Sequence, residues 1–183
     1  MAVRTPLMLT AWCACGALLL FGGCDSLADP AQENVMVFNA GSYVSPSGRY
    51  VLRIPPRGGV EYTVTEAATG DVALEYDANA SRYQRWFLCW GPDDRLWHYS
   101  GDDGEFQVWS VNAGGKWQKH VVVDFSTYDF TFDDALIREM PLPVFDHLPP
   151  GLKEQWGLVV EQDEHGRKAV RRVPSSPRPQ QHH

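Results

Sequence analysis

Short apolar runs broken by turn residues fill residues 35–124. Val35-Met36-Val37-Phe38, Tyr50-Val51-Leu52-Arg53-Ile54, Tyr62-Thr63-Val64-Thr65 and Val72-Ala73-Leu74 are rich in β-branched and aromatic side chains. Leu96-Trp97-His98-Tyr99, Phe106-Gln107-Val108-Trp109-Ser110-Val111 and His120-Val121-Val122-Val123 continue the series. Such residues suit a pleated surface with at least one face out of water. Ser47-Gly48, Gly58-Gly59, Thr69-Gly70, Asp93-Asp94, Asp103-Gly104 and Gly114-Gly115 separate the runs. Strands about every eight to twelve residues with this punctuation predict an antiparallel, mainly β domain.

One run differs from the rest. In Trp86-Phe87-Leu88-Cys89-Trp90 every position is apolar. Alternate residues of a strand share a face, so Trp86, Leu88 and Trp90 point one way and Phe87 and Cys89 the other. Two apolar faces predict a central strand covered on both sides. Trp97 and Tyr99 likewise share a face opposite His98.

The texture changes after Asp124. Residues 132–140 predict a short helix with an acidic first turn, stopped by Pro141. Two further one-turn helices follow over 143–150 and 152–156, with Phe145, Leu148, Leu152 and Trp156 placed to cover an open edge or face of the sheet. Leu158-Val159-Val160 and Ala169-Val170-Arg171-Arg172-Val173 flank a polar, glycine-containing stretch and predict a terminal hairpin. From Pro174 the chain is Pro, Ser, Gln and His, a composition that predicts a disordered tail over 174–183. The folded domain is therefore expected over 35–173.

A register repeats once. Ser45-Pro46-Ser47-Gly48-Arg49-Tyr50 parallels Gly91-Pro92-Asp93-Asp94-Arg95-Leu96, and Glu61 to Gly70 parallels Glu105 to Gly115. The spacing, about 45 residues, is the length of one four-stranded propeller blade. Residues 44–124 thus resemble the β-propeller repeats of bacterial envelope proteins, whose units carry Ser-Pro-Asp-Gly-Arg before a strand and a later Thr-Gly turn. Two units cannot close a ring that ordinarily needs at least about four. The expected fold is a small antiparallel domain of two blade-like units, a partial propeller or sandwich, with short C-terminal helices.

The opposite end of the chain carries another signal. Arg4 precedes an apolar run that closes on Leu18-Leu19-Leu20-Phe21-Gly22-Gly23-Cys24, and no acid occurs before Asp25. An apolar core of about a dozen residues is too short for a spanning helix, which needs about twenty, and fits a secretory h-region. Residues 1–24 resemble the bacterial lipoprotein signal, whose lipobox ends in a small residue and an obligatory cysteine; Phe21 stands where that family prefers Leu. The resemblance implies removal of residues 1–23, a diacylglyceryl group on the Cys24 sulfur and a lipidated tether over 24–34. It places the domain in the bacterial cell envelope on the extracytoplasmic side. Asp25 after the cysteine marks inner-membrane retention in the enteric members of that family; inner versus outer membrane is otherwise left open.

Charge and cysteines are consistent with this address. The net charge of −7 becomes −8 once Arg4 is removed. An acidic domain has no electrostatic footprint for nucleic acid and is repelled by anionic headgroups, so attachment falls to the acyl chains. With Cys13 and Cys15 in the signal and Cys24 acylated, Cys89 is the one thiol left in the domain and has no disulfide partner. Its apolar neighbours mark it as a small core residue.

No Gly-x-Ser-x-Gly elbow, phosphate-binding glycine loop or His-Glu-x-x-His helix occurs. His98, His120, His147 and His165 stand far apart, and His182-His183 ends the tail. Asp102, Asp103 and Glu105, set among glycines, form a weak calcium candidate that doubles as ordinary turn chemistry. Six tryptophans survive cleavage. Most are expected in the core, and Trp97 and Tyr99 with Tyr83, Arg85 and Arg95 form a candidate exposed patch for a protein or glycan. The resulting expectation is a non-catalytic, lipid-anchored module that binds another envelope component and needs no cofactor beyond its lipid. An extracytoplasmic hydrolase is the alternative.

Overall fold

The computed structural model describes residues 34–56, 60–77, 83, 85–126 and 130–173, all within a compact unit that spans 31–183. The segment expected as a signal peptide, Cys24 with the residues expected as its tether up to 33, and the tail from 174 lie outside the described residues.

Two antiparallel meanders dominate. After β1 (Val35–Val37), the first runs through β2 (Gly41–Val44), β3 (Tyr50–Ile54), β4 (Glu61–Glu66) and β5 (Val72–Asp77) in the spatial order β2-β3-β4-β5. The second runs through β6 (Trp86–Trp90), β7 (Leu96–Ser100), β8 (Glu105–Val111) and β9 (Trp117–Asp124). It is widened by β1 beside β6 and by β10 (Thr131–Phe132) beside β9, giving the order β1-β6-β7-β8-β9-β10. Both sheets are open, and the domain is mainly β.

β2 has no counterpart among the runs read from sequence. Three of its four residues are exposed, and an edge strand needs only one partner and little apolar surface. β9 also begins earlier than expected, at Trp117, through the exposed pair Gln118 and Lys119.

The domain has three layers. The inward residues of the first sheet, Tyr50, Leu52, Ile54, Tyr62, Val64 and Leu74, pack on Leu88, Trp90 and Leu96 of the second. The opposite face of that second sheet, with Phe87, Cys89, Trp97, Tyr99, Phe106 and Val108, packs on the C-terminal segment. β6 is covered on both faces, as its composition predicts, although it stands second in the sheet beside the short edge strand β1 rather than at its centre. A buried tryptophan removes about 150–250 Å² from water, worth about 4–6 kcal/mol by area, and Trp90, Trp97 and Trp156 are all below 2% exposed.

That third layer is made of α1 (Asp134–Glu139), α2 (Leu142–His147), α3 (Pro150–Trp156) and a hairpin of β11 (Leu158–Gln162) and β12 (Lys168–Arg172). Asp133 starts α1 by accepting from the Ala135 and Leu136 N–H groups, each at 3.0 Å. Pro141 and Pro149, with extended backbone, precede α2 and α3 and keep all three helices short. Leu148 and Trp156 are buried, Val144 is buried beside them, and Phe145 and Leu152 are half-buried against the same cluster. Arg172 ties the hairpin to α1 through Asp134 at 2.8 Å and lies 4.3 Å over the Phe132 ring. No helix among the described residues is long and apolar enough to cross a membrane.

Candidate functional site

The alternation of β4 and β5 sends Tyr62 and Tyr76 between the two sheets, where they meet the one polar side of the central sheet. Tyr62 and Tyr76 stack at 4.9 Å, and both rings meet the His98 ring edge-on. Gln107 Nε2 donates to Tyr76 Oη at 2.9 Å and lies 2.7 Å from His98 Nδ1, while Tyr76 Oη donates to Asp103 Oδ2 at 3.0 Å. His98 Nε2 stands 3.6 Å from the same carboxylate oxygen, beyond hydrogen-bond reach. Burial holds the imidazole neutral, its pKa lowered to about 3, because the charged form loses its hydration. The same desolvation raises the Asp103 carboxyl and both tyrosines. With His98 and Gln107 wholly buried, this cluster joins the two sheets, and its two tyrosines also line a hollow at the end of the first sheet.

The other face of the β2–β5 sheet is different. Two rows cross all four strands there. One is Val44, Val51, Thr65 and Val72, and the other Ser42, Arg53, Thr63 and Glu75. A bulge between Val64 and Thr65 brings Val72 opposite Thr65. Val44 and Val72 are 55% and 60% exposed. A hollow of about 900 Å³ opens at the charged end, lined by Arg53, Glu61, Thr63, Glu75 and Asp77 among others. No layer of described residues covers this face, and it combines an apolar stripe with opposed charges.

The aromatic patch expected from sequence is not assembled. Trp97 and Tyr99 are 0% and 4% exposed, in the core beneath the C-terminal segment. Their alternation gave the correct face, but the cover over it comes from residues 137–170, far off in sequence. Tyr83 is fully exposed, Arg85 donates to the His147 carbonyl at 2.9 Å, and Arg95 pairs with Asp93 and Glu139. The calcium candidate is likewise dispersed. Asp103 turns inward to Tyr76, Glu105 pairs with Lys119 at 2.7 Å, and no group of three metal-ligating side chains occurs among the described residues. Cys89 is buried, its thiol pKa pushed up to about 12 by desolvation, so it is not a ready nucleophile.

The two turns of the repeat touch each other. Gly48 and Asp94 occupy matching positions with φ of 75° and 59°, and Asp94 accepts from the Ser47 N–H at 3.1 Å and from the Ser47 hydroxyl. Asp94 tolerates the left-handed backbone that glycine takes freely, at some cost in strain. The turns are not identical, since Ser45 closes on Tyr50 but Gly91 closes on Arg95, one residue sooner. Comparison with known proteins returns no matching family model, no similar curated protein and no similar solved structure.

Proposed function

We propose that the chain is a lipid-anchored protein of the bacterial cell envelope, facing the extracytoplasmic side, whose β domain is non-catalytic and binds another envelope component. The run Leu18 to Cys24 carries the address. The uncovered face of the β2–β5 sheet supports binding, because a mixed apolar and charged surface of this kind suits a macromolecular partner. The two meanders are read as blade-like units. Their shared strand order, the matched left-handed residues Gly48 and Asp94, and the hairpin glycines Gly70 and Gly115 with φ of 79° and 76° support that reading. A ring of such units would need both faces of each sheet, and here the C-terminal segment occupies one face of the second.

Mass spectrometry of the purified full chain tests the anchor. The expected product begins at an acylated Cys24, and Cys24→Ser leaves an unprocessed or unacylated form. An intact, unmodified Met1 in the wild type overturns the lipoprotein reading. The hydrolase alternative has one local foothold, a 3.1 Å contact between Ser110 Oγ and His120 Nε2. Hydrolysis of generic ester substrates that disappears in Ser110→Ala would favour it over binding.

A further inference from the structure

On the outward face of the β2–β5 sheet, Arg53 and Glu75 lie on the strands to either side of β4, in one row through Thr63. We propose that a second copy of this chain covers that face, in a two-fold contact whose axis runs along β4. The proposal rests on the reading of this face as a binding surface and names its partner.

The pattern itself selects the partner. A two-fold axis along β4 keeps each row at its own height and exchanges β3 for β5. Val51 then lies on the partner's Val72, Thr65 on its own equivalent and Val72 on the partner's Val51, while Val44 on β2 overhangs the partner's β5 edge. Each Arg53 comes opposite the partner's Glu75, so one arrangement forms two opposite-charge pairs. An axis across the strands would instead set valines against charges and strip both charges of water without pairing them. The face is therefore self-complementary in one orientation, as an isologous contact requires. Arg53 and Glu75 have no ion pair within 4.0 Å among the described residues, and the hollow beside them leaves room for the partner's long side chains.

Assembly stops at two. The second sheet offers no free face, because the helices and the β11–β12 hairpin pack against it. A copy arriving on that side meets the C-terminal segment, so head-to-tail growth has no sheet to add to. Three overlapping strands about 4.8 Å apart and about five residues long give roughly 240 Å² of flat area. That is below the roughly 800 Å² per partner of a standard interface. The contact is accordingly weak in dilute solution and is favoured where anchoring to one membrane raises the local concentration.

Cross-linking of the full chain in its own membrane provides the test. Thr63 lies on the axis, and stacked sheets stand about 10 Å apart, beyond direct disulfide reach. Thr63→Cys is therefore expected to couple to itself through a short bis-maleimide and give a species of twice the mass. Ser42→Cys, two strands from the axis, is expected not to. Adding Arg53→Glu to Thr63→Cys sets Glu against Glu and should reduce coupling about fivefold or more, the effect of about 1 kcal/mol. The further change Glu75→Arg should restore it. No Thr63→Cys dimer, equal coupling from Ser42→Cys, or coupling indifferent to charge reversal overturns the proposal. A photo-reactive residue at position 63 separates the two levels of the argument. Capture of a different protein or a glycan removes the second copy and leaves a binding face, whereas capture of nothing removes both.

Discussion

The β2–β5 and β6–β9 meanders follow one strand order with matching left-handed turn residues, yet one sheet has a single buried face and the other has two. The difference lies in side chains rather than backbone. In β7 every residue from Leu96 to Ser100 is buried, and both faces of β6 carry aromatic rings. In β3 and β4 the outward positions are Val51, Arg53, Thr63 and Thr65, of which Arg53 is exposed, Val51 and Thr63 are half-buried, and Thr65 is buried among its neighbours in the row. Two meanders of the same strand order have thus taken different places in a stack, the second as its middle and the first as its outer layer.

Removing the cover from the middle sheet is the most damaging test of that comparison. Trp156 is 1% exposed, stacks on Phe106 at 6.4 Å and meets Phe125 in a tilted contact at 5.5 Å. Trp156→Ala should cost about 3–5 kcal/mol, the range for losing a large buried ring and leaving a cavity, read from the urea midpoint. A loss below about 1 kcal/mol, the centre of ordinary substitutions, would mean that the helical layer is not part of the core.

The joint between the two sheets should respond to pH. His98 has a pKa of about 3 in the fold and about 6.5 in an unfolded chain. Between those values the unfolded chain binds the extra proton, so the contribution of neutral His98 is complete above about pH 6.5 and declines toward pH 3. The decline is at most about 1.4 kcal/mol per pH unit. Asp103, its carboxyl raised by burial, works in the other direction, because the folded chain takes up its proton first as the pH falls. Tyr62 and Tyr76, also raised, stay neutral throughout. His98→Asn should therefore flatten the slope of stability against pH below about 6.5, measured as urea midpoints at several pH values. An unchanged slope would show that His98 is not the group being titrated.

Much of this stack is legible in the sequence, and the illegible part has a common cause. Strands with aromatic runs, the doubly apolar β6, the three proline-bounded helices and the terminal hairpin follow from local pattern. β2 does not, because Gly41-Ser42-Tyr43-Val44 lies at an edge and needs little apolar surface. The failed patch shows the limit most clearly. Trp97 and Arg95 are residue types that build cores and recognition surfaces alike, and only the position of α1–α3 decides between them. The row Val44, Val51, Thr65 and Val72 is hidden for a related reason: it exists only once strand register and the bulge at Val64/Thr65 are set.

The smallest expected effect gives the finest test of the comparison. Val44→Thr and Val72→Thr replace a methyl by a hydroxyl on the open face, where water satisfies the new group, and each should change the stability of the monomer by less than about 0.5 kcal/mol. Val122→Thr makes the same change on the covered face of the middle sheet, where Val122 is 0% exposed. There the hydroxyl loses its water and should cost about 1–3 kcal/mol. Urea titration at low protein concentration reads all three without any contribution from association. Equal losses at Val44 and Val122 would mean that the outer sheet is covered within a single chain, and the face would then have no surface to offer a second copy.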